Sequence, residues 1–425
     1  MNVSHHRLSH QDFMTLATGG SGVDAVRELV SVEYSKHVTF LWGVVTAAEG
    51  SEHYTLARTG YDLLATVIRV NREAAAKVIR YPSVGTWARR TVQAGRSGTA
   101  IPGAVPDQLR AVAAAAAIRA GLRTEIEVPV ISGRVTLPSL GTALVPGCSA
   151  RVRTGPGGAA IGPVEIPRNP CHDAPGWLGL RRVHVGPFDV FIDDLDPFRM
   201  PGIQDLAPRL DTEPWKTAFR AAWLVLEEHH SGVAAEIAAV VSVIAPRSRP
   251  PSGVVSTSSP EAFGTVAMSL SPDPVTCAVT LAHELQHLKL GALLDIVTLA
   301  LPDDGRRYYA PWRDDPRPLG GLLQGAYAYF GVSGFWRRQR RGPGNQLQAD
   351  IEYARWRAAT ALAVKTLRSS GRLTRAGLEF VGAMARTLGT WQDEPVPLQA
   401  MTLARRASES HLSRWQSANG PIPAG

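Results

Sequence analysis

The residues best suited to chemistry in this chain are His283, Glu284 and His287. They are spaced H-E-x-x-H inside the apolar run Leu281-Ala282-His283-Glu284-Leu285-Gln286-His287-Leu288-Lys289-Leu290. On an α-helix, residues four apart lie about 40° from each other around the axis, one turn up. His283 and His287 then present two imidazoles to one point, which is what a divalent metal requires. Glu284 stands about 100° round from His283, where it can serve the metal's open side as a general base or support a ligand. The plainer reading is a chance match on a core helix. Two histidines four apart, with a Glu between them, are harder to explain that way than one buried His.

A metal centre needs a third protein ligand and at least one open position. The extended pattern H-E-x-x-H-x-x-G-x-x-H is absent, because Leu290 stands where its Gly would be and no third His follows. Asp295 lies about 12 Å further along the same helix, so a helix-terminal polar contact is its ordinary role. Glu352, in Asp350-Ile351-Glu352-Tyr353-Ala354-Arg355-Trp356, would complete a two-His-one-carboxylate set. Gln324 lies in the apolar Gly320-Gly321-Leu322-Leu323-Gln324-Gly325-Ala326-Tyr327 and is the other candidate. With zinc such a set activates water for peptide hydrolysis. With iron(II) it leaves positions for a 2-oxo acid and dioxygen. A cation able to grip the distal carboxylate of 2-oxoglutarate would favour iron. Arg313 and Arg317, in the Pro-rich stretch Tyr308–Pro318, are candidates, and a surface ion pair with Asp314 or Asp315 is the bland reading of each.

The elements that must position these residues are legible in outline. Residues 1–123 read as an N-terminal helical region. Ser9 caps a first helix stopped at Gly19-Gly20, and further helices cover Val23–Ala48, Tyr61–Ile79 and the Ala-rich Asp107–Ala120. The Pro at 82 is expected to break the pattern over 80–87. Residues 124–200 show short alternating runs broken by Gly and Pro, which predicts a β-rich module. It ends at the acidic turn Asp193-Asp194-Leu195-Asp196-Pro197. Residues 201–425 form the metal-binding helical region, within one compact unit. There Trp215–His230 is a helix, and His229-His230 suit a helix C-terminus better than a metal. Strands are expected at Val240–Ile244 and Phe263–Leu270. Asp273-Pro274 starts the metal helix, and helices at Leu319–Arg338, Gln346–Ser369 and Thr374–Thr390 follow. Strand, short connection and metal helix is the order of zincin-type enzymes. The fold class expected is α+β: mainly helical, with a β-rich middle module and a zincin-like core of strand plus H-E-x-x-H helix.

A chain of 425 residues with 44% hydrophobic and 19% charged content can bury a large core. Its net charge of +8 is spread along the sequence, and no basic motif interleaved with aromatics supports a nucleic-acid partner. Cys148, Cys171 and Cys277 are far apart and odd in number, so no disulfide framework or metal cluster is expected, and the default location is cytoplasmic. No signal peptide or membrane span is expected, and hence no membrane partner. The sequence is silent on oligomeric state.

Several stretches together resemble the H-E-x-x-H-motif peptide-modification proteins of ribosomal peptide natural-product clusters. They are His283–Leu290 with Ala292-Leu293-Leu294-Asp295, Pro82-Ser83-Val84-Gly85-Thr86-Trp87-Ala88, Leu137-Pro138-Ser139-Leu140-Gly141, Asp193–Arg199, and Arg317–Gly325. The order is kept from about residue 7 to about residue 400. That family is described as 2-oxoglutarate-dependent peptide β-hydroxylases. The resemblance implies Fe(II) on His283 and His287, with 2-oxoglutarate and O₂ as cosubstrates and a ribosomal precursor peptide as partner. It leaves Glu284 to orient a ligand or manage a proton. Some relatives carry a fused radical-SAM domain, which this chain lacks. Others carry His at or near the positions of Gln324 or Tyr329, where this chain has none. The residues alone keep two alternatives open: a Zn(II) peptidase with Glu284 as general base, and a non-catalytic protein that binds a precursor peptide.

Overall fold

The computed structural model describes residues 6–20, 22–203, 206, 209–251, 253–342 and 344–421. The fold is mixed α+β and mainly helical. The helices begin with α1 (His10–Thr18), α2 (Val23–Ala47), α3 (Tyr54–Val70), α4 (Arg72–Ile79), α5 (Pro82–Ser97) and α6 (Leu109–Ala120). Nine strands follow: β1 (Thr124–Pro129), β2 (Arg134–Leu137), β3 (Gly141–Leu144), β4 (Ser149–Gly155), β5 (Gly158–Ile161), β6 (Val164–Ile166), β7 (Trp177–Gly179), β8 (Arg181–Val185) and β9 (Phe188–Ile192). Then come α7 (Glu213–His229), α8 (Ser231–Val240), β10 (Val243–Pro246), β11 (Ser256–Thr257), β12 (Thr265–Met268) and α9 (Pro274–Leu294). The chain closes with α10 (Leu319–Gln339), α11 (Gln346–Ser369), α12 (Arg375–Gln392) and α13 (Leu398–Asn419).

The three regions read from the sequence fall into two compact units. One holds residues 30–217 and 241–270, and the other holds 6–29, 218–240 and the chain from 271 onward. Most of α2 and the helices α3 to α6 thus share a unit with the β-rich module, α1 and the start of α2 belong to the other, and 201–425 is divided.

In the first unit α6 is the helix around which α3 and α4 gather. Ala111 to Ala117 are buried on every side, and such small side chains let neighbouring backbones come close. At Gly60 of α3 an added Cβ would stand 2.7 Å from the Arg110 amide nitrogen. The β module forms a four-stranded antiparallel sheet (β1-β4-β5-β6) and a three-stranded one (β2-β3-β7). Along β1 the alternation predicted from Glu125-Ile126-Glu127-Val128 is realised: Ile126 and Val128 are buried and the two glutamates face out. A five-stranded sheet, β11-β12-β10-β9-β8, carries β9, β10 and β12 in parallel.

The second unit is helical. Asp273 caps α9, accepting the Thr276 amide at 2.6 Å, and Pro274 occupies the first turn. This is the start the sequence predicts. Helices α8 and α10 pack on α9, and α11 packs on α10. Beneath α9 the buried Lys289 ammonium meets Glu236 Oε2 at 2.7 Å, and Glu236 Oε1 accepts the Gly22 amide at 2.8 Å.

Some sequence expectations are corrected. The break before Pro82 is there, with α4 ending at Ile79 and Tyr81 extended (ψ 125°), but it does not run to residue 87, because Pro82 at N1 opens α5. Tyr61–Ile79 is two helices, divided where the Asn71 side chain accepts the Ala74 amide. Val240 ends α8, so the strand begins at Val243. A fourth closing helix, α13, was not anticipated. Its apolar side is thin, with Ala400, Ala404, His411 and Trp415 as the buried residues.

Candidate metal centre

Two turns of α9 bring His283 and His287 together. Their Nε2 atoms are 3.2 Å apart, with the rings at 75° to each other. Two imidazoles that share one ion at metal–nitrogen bonds of about 2.1 Å would place their nitrogens roughly 3.0 Å apart in octahedral and 3.4 Å apart in tetrahedral geometry. The observed spacing fits a shared divalent ion and lies between the two geometries. Both histidines are half-buried. Burial holds His283 down to about 4, against an upward pull from Glu284. Its ring is therefore neutral at pH 7 and its lone pair is available.

Gln324 is brought to the pair, but on its far side. Its Oε1 lies 3.2 Å from His287 Nδ1. An amide oxygen there accepts a hydrogen bond from Nδ1–H, which favours the tautomer with its lone pair on Nε2 and holds the ring's direction. The structure therefore places the Gln324 oxygen beside His287 Nδ1, the ring nitrogen that faces away from the paired Nε2 atoms.

The expected carboxylate is not brought in. Among the described residues no group of three or more His, Cys, Asp or Glu side chains converges. Glu352 accepts from Trp356 Nε1 at 2.6 Å and from Gln348 Nε2 at 2.8 Å. Asp295 closes α9 as its C-cap. Glu284 is buried, at 1% exposure, far less open than the imidazoles beside it.

The arginines divide in a way the sequence did not suggest. Arg313 Nε and Arg317 Nη1 both bind Asp315, at 2.7 and 3.1 Å, the surface pairing that was their bland reading. Arg355 lies over the Trp356 ring, 4.3 Å from its centroid, and has no acidic partner among the described residues.

Sequence reasoning also passed over an aromatic wall. Tyr329 meets His283 edge-on (5.1 Å, 73°), stacks on Trp312 (4.7 Å, 20°) and lies against Trp356 (4.3 Å, 35°). Burial pushes the Tyr329 phenol up to about 12, with Arg355 opposing and Glu284 and Glu352 adding to the rise. Trp312 lies flat on Gly325, where an added Cβ would come within 2.4 Å of Nε1. Arg317 covers Gly321 in the same way, at 3.0 Å. The periodicity held a signal for this: Gly321, Gly325 and Tyr329 recur every fourth residue and so share one face of α10.

Other metal candidates resolve into packing. His230 stacks on Phe335 (3.9 Å, 7°), with Nε2 3.0 Å from Gln339 Oε1. Asp193 and Asp196 are buried turn formers: Asp193 accepts the Leu195 and Asp196 amides and the Tyr81 hydroxyl, and Asp196 accepts the Ser83 hydroxyl and the Phe198 amide. All three cysteines are free. No described helix is long and apolar enough to cross a membrane. No protein-family model matches the chain, and no curated protein does either.

Proposed function

We propose that the chain is an Fe(II)- and 2-oxoglutarate-dependent oxygenase that hydroxylates a β-carbon in a ribosomally made precursor peptide. The observation that carries this reading is a pair of imidazoles whose Nε2 atoms converge to 3.2 Å, with Gln324 behind His287 and, beside the Tyr329–Trp356 wall, a guanidinium without an acidic partner among the described residues. In this reading His283 and His287 would be two of the iron's protein ligands, and the metal would supply oxygen activation: one atom of O₂ would enter the peptide and the other succinate as CO₂ is released. Arg355 takes the part first given to Arg313 and Arg317, because a guanidinium already shared with Asp315 has less to offer a second carboxylate. Tyr329, Trp312 and Trp356 exclude water from one side. Glu284, beneath the pair, raises the basicity of His283.

The succession of β12 and α9 along the chain favours a second reading, a zinc peptidase with Glu284 as base. The burial of Glu284 weighs against it, since a base for water must reach the open side of the metal. One experiment separates the readings. Purified protein is incubated with the precursor peptide, Fe(II), ascorbate and 2-oxoglutarate, and the peptide is weighed by mass spectrometry. A gain of one oxygen that depends on 2-oxoglutarate is expected. Cleavage with zinc would replace the proposal with the peptidase, and tight binding of an unchanged peptide would replace it with a binding protein.

A further inference from the structure

The first unit contains a cavity of about 300 Å³ with an unbalanced charge. Four basic side chains line it, Lys77, Arg80, Arg119 and Arg182, against one acid, Asp189. That acid is already engaged by Arg182, whose Nε donates to Oδ1 at 2.5 Å. Lys77 pairs with Glu73 at 2.8 Å on the helix surface. Arg80 and Arg119 have no acidic partner among the described residues. Arg80 sits over the Tyr34 ring at 5.3 Å.

Arg119 is the unusual member. It is largely buried, and burial lowers its pKa, the direction that signals an uncompensated charge. It donates Nε to the Ser139 hydroxyl at 2.9 Å and Nη2 to the Ser139 carbonyl at 2.5 Å. These bonds hold Ser139 at φ +68°, a left-handed conformation that a non-glycine residue rarely adopts. They also aim the guanidinium and leave Nη1 unspent. A strained residue held in place to direct a buried, unpaired cation into a cavity is the pattern of a preformed binding site. Arg80, Lys77 and Arg182 stand at its exposed rim. Phe191 and Tyr81, edge-on at 6.2 Å, make an apolar wall beside the charges.

We propose that this cavity is an anion site that takes the phosphoryl group of a small molecule, with Arg119 at its floor and Arg80 and Lys77 at its mouth. The basic residues come from the end of α4, from α6 and from β8, with Ser242 also lining the cavity. That suits a tetrahedral dianion better than a planar carboxylate, which one arginine grips edge-on. The site shares no residue with the His283–His287 centre and does not depend on the activity proposed there.

The test is calorimetric titration of the full chain with inorganic pyrophosphate, with phenyl phosphate and with succinate. Pyrophosphate and phenyl phosphate are expected to bind, more weakly as salt rises, and succinate at least tenfold more weakly. Phenyl phosphate binding tighter than inorganic phosphate, titrated alongside, would identify an ester as the natural ligand, and the reverse a free phosphate. Arg119→Gln should weaken binding roughly tenfold or more, as losing a charge-assisted hydrogen bond does. Because Arg119 also holds Ser139, the exposed pair Lys77→Gln/Arg80→Gln provides a second variant with a similar loss and an unchanged fold. His287→Ala should bind as the parent does. Failure of both phosphates to bind at millimolar concentration, equal binding by parent and variants, equal binding of succinate, or loss in His287→Ala would each overturn the proposal.

Discussion

Replacing Gln324 by Leu tests the metal centre at its least obvious member. The change keeps the side-chain volume on α10 but removes the acceptor 3.2 Å from His287 Nδ1. Nothing then favours the tautomer with its lone pair on Nε2, and the ring is free to turn. Removing such a support typically weakens metal binding ten- to a hundredfold, or about 1.4–2.7 kcal/mol. Removing a ligand outright, as in His287→Ala, leaves a single imidazole and should abolish stoichiometric binding. The assay is competitive titration of Co(II), Fe(II) or Zn(II) against a chromophoric chelator, with thermal melting as a check on the fold. Gln324→Glu should bind at least as tightly as the parent, since a carboxylate accepts the same proton more strongly. The assignment is refuted in one direction if Gln324→Leu binds metal like the parent, for then the bond orients nothing. It is refuted in the other if Gln324→Leu loses metal as completely as His287→Ala, which would make Gln324 a ligand.

Four further outcomes are expected. Arg355→Gln should raise the KM for 2-oxoglutarate tenfold or more with kcat little changed, whereas Arg313→Gln should do neither; steady-state kinetics on the precursor peptide reads both. Lys289→Ala strands the buried Glu236 carboxylate and should cost about 3–5 kcal/mol by urea unfolding; Lys289→Ala/Glu236→Leu should recover part of that. Gly85→Ala would put a Cβ 2.0 Å from His37 Nε2, a clash costing about 3 kcal/mol and visible as a lowered melting temperature. His37 itself should make the fold acid-sensitive. Burial holds it down to about 4 from 6.5, despite its bond to the Ile79 carbonyl. The unfolded chain therefore takes up a proton that the fold refuses. Stability from His37 is whole above pH 6.5 and falls as pH drops from 6.5 to 4, by about 3 kcal/mol. The loss should be smaller in His37→Gln, and an equal loss in both chains would rule His37 out.

The imidazole pair was legible in the sequence because a helix converts spacing into direction with little help from the rest of the fold. So were the Ser9 and Asp273 caps and the alternation of β1, all set by residues within a turn or a strand of each other. Gln324 was noticed for its polarity in an apolar run, but which nitrogen of His287 it faces depends on how α9 and α10 pack. Arg355 was hidden for a similar reason. Whether an arginine is spent or free is decided by neighbours from other elements, and Asp315 happens to satisfy the two arginines nearest in sequence. The opening of α5 at Pro82 was misjudged because one proline can end a helix or begin one, and Tyr81 decides by being extended. The thin apolar side of α13 gave too little periodicity to register.

The order in which the second unit is assembled from the chain has a consequence for how it can be made. Helix α1 is synthesised well before the helices it packs on: Phe13 lies against Phe380, 5.5 Å between rings, and the Leu16 carbonyl accepts the hydroxyl of Tyr327 at 2.9 Å. Those partners leave the ribosome more than 300 residues later. Contacts so distant in sequence are slow to form, so α1 must wait, without these partners, while the chain grows by the 311 residues from Leu16 to Tyr327. A fragment that starts at the metal helix would lack α1 and α8 together with Glu236, leaving Lys289 without its counter-charge. Trimming the chain to its H-E-x-x-H half should therefore yield an insoluble product, while a cut in the exposed 302–307 loop, with both pieces present, should leave an associated pair.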